Sequence, residues 1–162
     1  MVDLSNSDFK EFCECLNRHN VEYVVVGGYA VAFYGAPRYT GDFDTFVRPA
    51  RENLQKALNA IAEFGFGDAT REVTPEQWLE RRSILIMGAP PNRIDVLVDI
   101  DGVSFDEARE GAIQATYGGA PVQYIGYQAL LRNKAAAGRT KDAFDVEALT
   151  SGRTADADSD QE

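Results

Sequence analysis

The apolar run Val24-Val25-Val26 ends in the pair Gly27-Gly28, and further along Asp42-Phe43-Asp44 sets two acids on alternate positions. No other stretch of the chain restricts its fold so strongly. Three β-branched residues in succession favour a strand, and this one is too apolar to lie at a sheet edge. A glycine pair placed where a strand turns into a helix lets backbone N–H groups come close to a phosphate. On a strand, alternate side chains share a face, so Asp42 and Asp44 point the same way while Phe43 turns inward. Two carboxylates held side by side repel unless a cation sits between them. Mg²⁺ suits such hard oxygen donors and completes its shell with water and phosphate oxygens. Together these parts describe phosphoryl-transfer chemistry.

A third acid strengthens the pattern. Arg93-Ile94-Asp95-Val96-Leu97-Val98 carries Asp95 inside an otherwise apolar strand, where a carboxylate is costly unless paired or metal-bound. Pairing with Arg93, or a place on an edge strand facing solvent, is the plainer reading of that residue. Arg38 and Thr40 lie between the glycine pair and the acids. Arg38 is suited to clamping a triphosphate or to anchoring the carboxylates from behind. Lys134 and Lys141 are each able to reach a phosphate. They share a face if their helix is unbroken, although Gly138 stands between them. Asp142 and Asp145, one turn apart, fit the role of anchoring Arg139 or capping a helix. His19, the single histidine, falls at a helix end and reads as a capping residue. Of the aromatic residues near the glycine pair, Tyr29, Tyr34 and Tyr39 offer rings on which a base can stack, with at least one of them in the core.

Helices and strands alternate along the chain. An amphipathic helix over 5–19 places Phe9, Phe12, Cys13 and Leu16 on one face. Strand 22–26, helix 28–34 and strand 42–47 follow. A helix over 51–64 buries Leu54, Leu58 and Ile61 and ends at Gly65 and Gly67. A helical turn over 75–80 carries Trp78, expected against the sheet. Strands 83–87 and 93–98 form a hairpin across Gly88–Asn92, a helical turn spans 105–110, and strands 113–117 and 122–125 flank Gly118-Gly119. Helices over 127–137 and 140–149 meet at Gly138. The pattern predicts an α/β (α+β) chain with a mixed sheet and helices on one or both faces.

At 162 residues with a formal charge of −10, residues 1–150 read as one domain and the acidic stretch 151–162 as a disordered tail. That charge disfavours a general nucleic-acid coat. The acid-free stretch Gly111–Lys141 carries Arg132, Lys134, Arg139 and Lys141, where a polyanion is most welcome or where a solvated helix face lies. No apolar run approaches the ~20 residues of a membrane span. The start of the chain lacks signal-peptide features, and Cys13 and Cys15 read as reduced structural thiols. A cytoplasmic location is therefore expected.

Val26-Gly27-Gly28, Asp42-Phe43-Asp44 and Asp95 match in type, order and spacing the signature of the nucleotidyltransferase superfamily typified by DNA polymerase β, which this chain resembles over residues 20–150. The string Gly35-x-x-Arg38-x-Thr40-x-Asp42-x-Asp44 is similar to a small bacterial branch, some of whose members relate to toxin–antitoxin nucleotidyltransferases. Arg132-Asn133-Lys134, Lys141-Asp142 and Asp145 fit that branch's C-terminal helices. The resemblance implies a mixed-sheet core in which Asp42, Asp44 and Asp95 hold two Mg²⁺ ions, with Mn²⁺ as an alternative. It implies nucleotide contacts from Gly27, Gly28, Arg38, Thr40, Lys134 and Lys141. The expected reaction moves a nucleoside monophosphate from a triphosphate such as ATP onto the hydroxyl of a protein, a small molecule or an RNA end. The alternative is a non-catalytic nucleotide-binding or antitoxin-like module with a toxin-like partner.

Overall fold

The computed structural model describes residues 6–36 and 40–159, with side chains described as far as Ser151. Six strands form one mixed sheet in the order β3-β4-β2-β1-β6-β5. They are β1 (Tyr23–Val26), β2 (Asp42–Val47), β3 (Leu85–Met87), β4 (Arg93–Leu97), β5 (Ile113–Tyr117) and β6 (Ala120–Tyr124). β1 runs antiparallel to β2, β2 parallel to β4, and β1 parallel to β6. The two short hairpins, β3–β4 and β5–β6, close the edges. The mixed sheet expected from the sequence is therefore present, and β1 lies inside it with all four residues buried.

One face of the sheet is built on aromatics. Helix α1 (Ser7–Arg18) starts at Asn6, whose side chain accepts from the backbone N–H groups of Asp8 and Phe9. Its Phe9 stacks on Phe43 of β2 with centroids 4.9 Å apart, and Tyr29 and Tyr117 close the cluster edge-on or tilted. Phe43 points this way because it alternates with Asp42 and Asp44, so the same period-2 pattern that fills this face exposes the acids on the other. Tyr29 is thus a core ring. The Tyr34 hydroxyl donates to the Ile125 carbonyl at 2.7 Å, which fixes that ring as well. Tyr39 and Arg38 lie outside the described residues.

Helix α2 (Gly27–Phe33) follows β1 directly. Helix α3 (Arg51–Ile61) buries Leu54, Leu58 and Ile61 as its spacing predicts. It ends three residues earlier than the sequence reading, in a π-helical stretch over Ala62–Phe66 that contains Gly65 at φ 118°. Gly67 does not end that helix; it opens the short α4 (Gly67–Thr70). In α5 (Pro75–Arg81) Trp78 is buried and its indole N–H donates to the Ser83 carbonyl at 2.8 Å. This bond holds residue 83 outside β3, which begins only at Leu85.

On the carboxylate side, Phe105 of α6 (Phe105–Arg109) packs edge-on against Phe46, two residues beyond Asp44 on the same face. Helices α7 (Tyr127–Ala137) and α8 (Thr140–Ser159) pack on each other. Gly138 takes a left-handed conformation between them (φ 69°), which breaks the helix. The unbroken face that would carry both Lys134 and Lys141 does not exist: Lys134 is buried and Lys141 exposed. Among the described residues no helix is long and apolar enough to cross a membrane.

Candidate active site

The parallel pairing of β2 with β4 brings the three acids together. Asp44 stands opposite Asp95 and Asp42 opposite Arg93, and paired residues on neighbouring strands share a face. One carboxylate oxygen from each of Asp42, Asp44 and Asp95 lies within 4.8 Å of the other two. The buried Thr45 hydroxyl donates to the Asp95 carbonyl at 3.2 Å, pinning β4 against β2 at this level. β4 is an interior strand, so Asp95 is not an edge residue, and it is 7% exposed.

The glycine pair shapes the other end of this row. Val26 stands opposite Asp44, and Gly27 follows at φ 68°, a conformation that side-chain-bearing residues rarely adopt. A Cβ at Gly27 would sit 2.2 Å from an Asp44 carboxylate oxygen, and one at Gly28 would sit 2.9 Å from the Thr40 side chain. The glycines therefore keep backbone close to Asp44 and Thr40 where any side chain would fill the space. Thr40 in turn holds the start of β2, its hydroxyl donating to the Asp42 carbonyl at 3.1 Å.

The electrostatics of the cluster are unbalanced. Burial, followed by the charges of Asp95 and Asp42, pushes the Asp44 carboxyl up to about 7, although the Lys134 ammonium draws it back. Among the described residues, the guanidinium within the cluster is that of Arg93. It grips Asp95 with two hydrogen bonds, 2.8 and 3.1 Å, and lies 3.7 Å from Asp42. Its own pKa is raised by that pairing. The sequence signal for the Asp95 contact is the i, i+2 spacing. The approach to Asp42 depends on the β2–β4 register, which the sequence does not display.

Lys134 occupies a different environment. Its Nζ lies 3.1 Å from Asp145 and 3.4 Å from Asp142, all three buried. Arg139 also binds Asp142, at 2.7 Å, and Arg132 lies 3.6 Å from Glu107. Three of the four basic residues of the acid-free segment are therefore paired with acids, Lys134 in the interior and Arg132 and Arg139 with exposed side chains. Lys141 is exposed on α8. Cys13 and Cys15 are buried free thiols, and His19 caps α1 and pairs with Glu63.

A mixed sheet carrying two acids on one strand, a third on its parallel neighbour and a glycine pair opposite has the architecture of the nucleotidyltransferase fold. No family model matches the sequence, and no curated protein does. Solved structures match in fold. The solution structure of the antibiotic-resistance factor ANT(2'')-Ia is similar at a TM-score of 0.56 and 13% identity, over 93% of this chain and 84% of that one. The crystal structure of ANT(2'')-Ia in complex with adenylyl-2''-tobramycin gives 0.53 and 14%, over 92% and 89%. The lincosamide antibiotic adenylyltransferase LnuA, with lincomycin bound, gives 0.54 and 13%, over 93% and 99%.

Proposed function

We propose that this chain is a nucleotidyltransferase that moves a nucleoside monophosphate from a triphosphate to an acceptor hydroxyl. The observation that carries the reading is the convergence of Asp42, Asp44 and Asp95 beside the space kept open by Gly27, with Asp44 driven up to about 7 by burial and by the neighbouring carboxylates. Three hard oxygen donors, short of balancing positive charge, fit Mg²⁺, as two ions, or Mn²⁺. Bound there, the metal supplies charge neutralisation to the triphosphate and acidity to the acceptor hydroxyl.

The residues of the chain then divide the work. Gly27 and Gly28 admit the triphosphate to the β1–α2 junction, with Thr40 beside them; Arg38 and Lys141 are the candidates for its outer phosphates. Lys134, fixed by Asp142 and Asp145, contributes positive potential toward Asp44. Asp95 faces the acceptor. The hydroxyl oxygen forms a bond to the α-phosphorus, the bond from that phosphorus to pyrophosphate breaks, and the hydroxyl proton passes to the Asp95 carboxylate. The neighbours carry tobramycin and lincomycin, so small hydroxyl compounds come ahead of proteins and RNA ends as acceptors to try.

The test is thermal unfolding of wild type and an Asp42→Asn/Asp44→Asn variant with each of the four ribonucleoside triphosphates, with and without Mg²⁺. Native-state binding at a hundredfold excess over Kd stabilises by about 2.7 kcal/mol. A Mg²⁺-dependent shift in wild type alone is expected. Pyrophosphate release that persists in the double variant would sink the assignment. Binding without pyrophosphate release against any acceptor would favour the non-catalytic module with a toxin- or antitoxin-like partner.

A further inference from the structure

The carboxylate row extends one strand further. Asp95 stands opposite Ile86 of the edge strand β3, so Val26, Asp44, Asp95 and Ile86 form one cross-strand line on the same face. Gly27 lies at one end and Ile86 at the other. Ile86 is 50% exposed and Ile84, two residues earlier, 49%. Continuing the β3–β4 register sets Ile84 opposite Leu97, which is partly buried on the same side. Large aliphatic side chains half open to water beside a carboxylate cluster add nothing to the core.

We infer that Ile86, with Ile84, is the acceptor-binding platform of this site, and that the acceptor is a compound with an apolar group next to its reactive hydroxyl. The inference rests on the nucleotidyl-transfer reading and adds the direction of the two substrates. In-line displacement sets the attacking oxygen and the leaving pyrophosphate on opposite sides of the phosphorus. With the triphosphate at the Gly27 end, the attacking hydroxyl comes from the Asp95 side, and whatever is attached to it lies over β4 and β3. There it meets Ile86, which faces Asp95 at the ~5 Å typical of directly opposed cross-strand side chains, and Ile84 beyond it. The arginines near the two isoleucines are charge-compensated: Arg82 lies 3.5 Å from Asp99, and Arg93 is held by Asp95 and Asp42. The isoleucines themselves therefore set the preference, and a strongly polar acceptor leaves them in water.

The test uses the full chain with ¹³C-methyl-labelled isoleucine, Mg²⁺ and α,β-methylene ATP. Cyclohexanol, glycerol and 2-aminoethanol serve as acceptor probes. Saturable shifts of the Ile86 and Ile84 methyl signals with cyclohexanol, and none with the other two, are expected. Ile86→Ser should weaken the cyclohexanol response by about fivefold or more and leave affinity for the ATP analogue unchanged. Normal analogue binding with unmoved isoleucine signals overturns the acceptor platform alone. Absence of Mg²⁺-dependent analogue binding overturns the reading of the whole site and this inference with it. Methyl shifts that follow protein concentration assign the patch to contact between copies and also overturn it.

Discussion

Two of this molecule's clusters of acids and cations have opposite characters. In the α7–α8 cluster, Lys134 and Arg139 meet Asp142 and Asp145, two cations to two acids. Burial pushes the Asp142 carboxyl up, yet Arg139 and Lys134 outweigh it and hold the group below its usual range. On the sheet, among the described residues, three acids face one guanidinium, and burial with like charge drives Asp44 up to about 7. The same residue types thus make a strut in one place and a site in the other. A balanced buried cluster ties two helices together and asks for nothing more. An unbalanced one stores a demand for positive charge, which a metal–triphosphate complex can meet.

The sharpest way to break this comparison is to unbalance the strut. Lys134→Met leaves Asp142 and Asp145 buried with less counter-charge and should cost about 3–5 kcal/mol. Mg²⁺ should not restore it. Adding Asp142→Asn and Asp145→Asn to the same chain should recover much of the loss in denaturant unfolding. If Lys134→Met unfolds normally but loses triphosphate affinity, the residue serves the ligand and not the helices.

Gly27→Ala comes next. The left-handed backbone and the encroachment on Asp44 together should cost roughly 1–3 kcal/mol. Binding of Mn²⁺, followed by electron paramagnetic resonance, should weaken at the same time. Unchanged Mn²⁺ affinity would show that the glycine matters only for the turn.

Arg93→Gln removes the cation that the described residues place in the sheet cluster. It should lower the melting temperature at pH 8, because the buried Asp95 carboxylate is left with poorer pairing. In contrast to the Lys134 variant, saturating Mn²⁺ should restore most of the loss. A deficit that Mn²⁺ leaves untouched would place Arg93 in the structural class.

The smallest effect has the opposite sign. The folded carboxyl of Asp44 is raised to about 7, above the ~3.9 of an unfolded aspartate. Between these values the folded chain binds more protons than the unfolded one, so this group's contribution to stability falls as pH rises through that window. Asp44→Asn removes the penalty. It should raise the metal-free melting temperature at pH 8 by about 2–6 °C and leave it nearly unchanged at pH 4. A variant less stable than wild type at pH 8 would refute the charge imbalance on which the comparison stands.

Much of this was legible in the residues. The alternation in Asp42-Phe43-Asp44 determined by itself that two acids share a face and that Phe43 is core, because the side-chain period of a strand is 2. The run Val24–Val26 determined an interior strand, and the spacing of Phe9, Phe12, Cys13 and Leu16 determined the buried stripe of α1. Local patterns of this kind need only neighbouring residues. The tertiary structure decided what depends on register and on packing between distant segments. The parallel β2–β4 pairing set Asp44 against Asp95 and Asp42 against Arg93. The β3–β4 pairing set Ile86 beside Asp95. The left-handed turn at Gly138 sent Lys134 inward and Lys141 out. Whether an acid is satisfied or left wanting is a sum over all the charges around it, and those come from segments far apart in the chain.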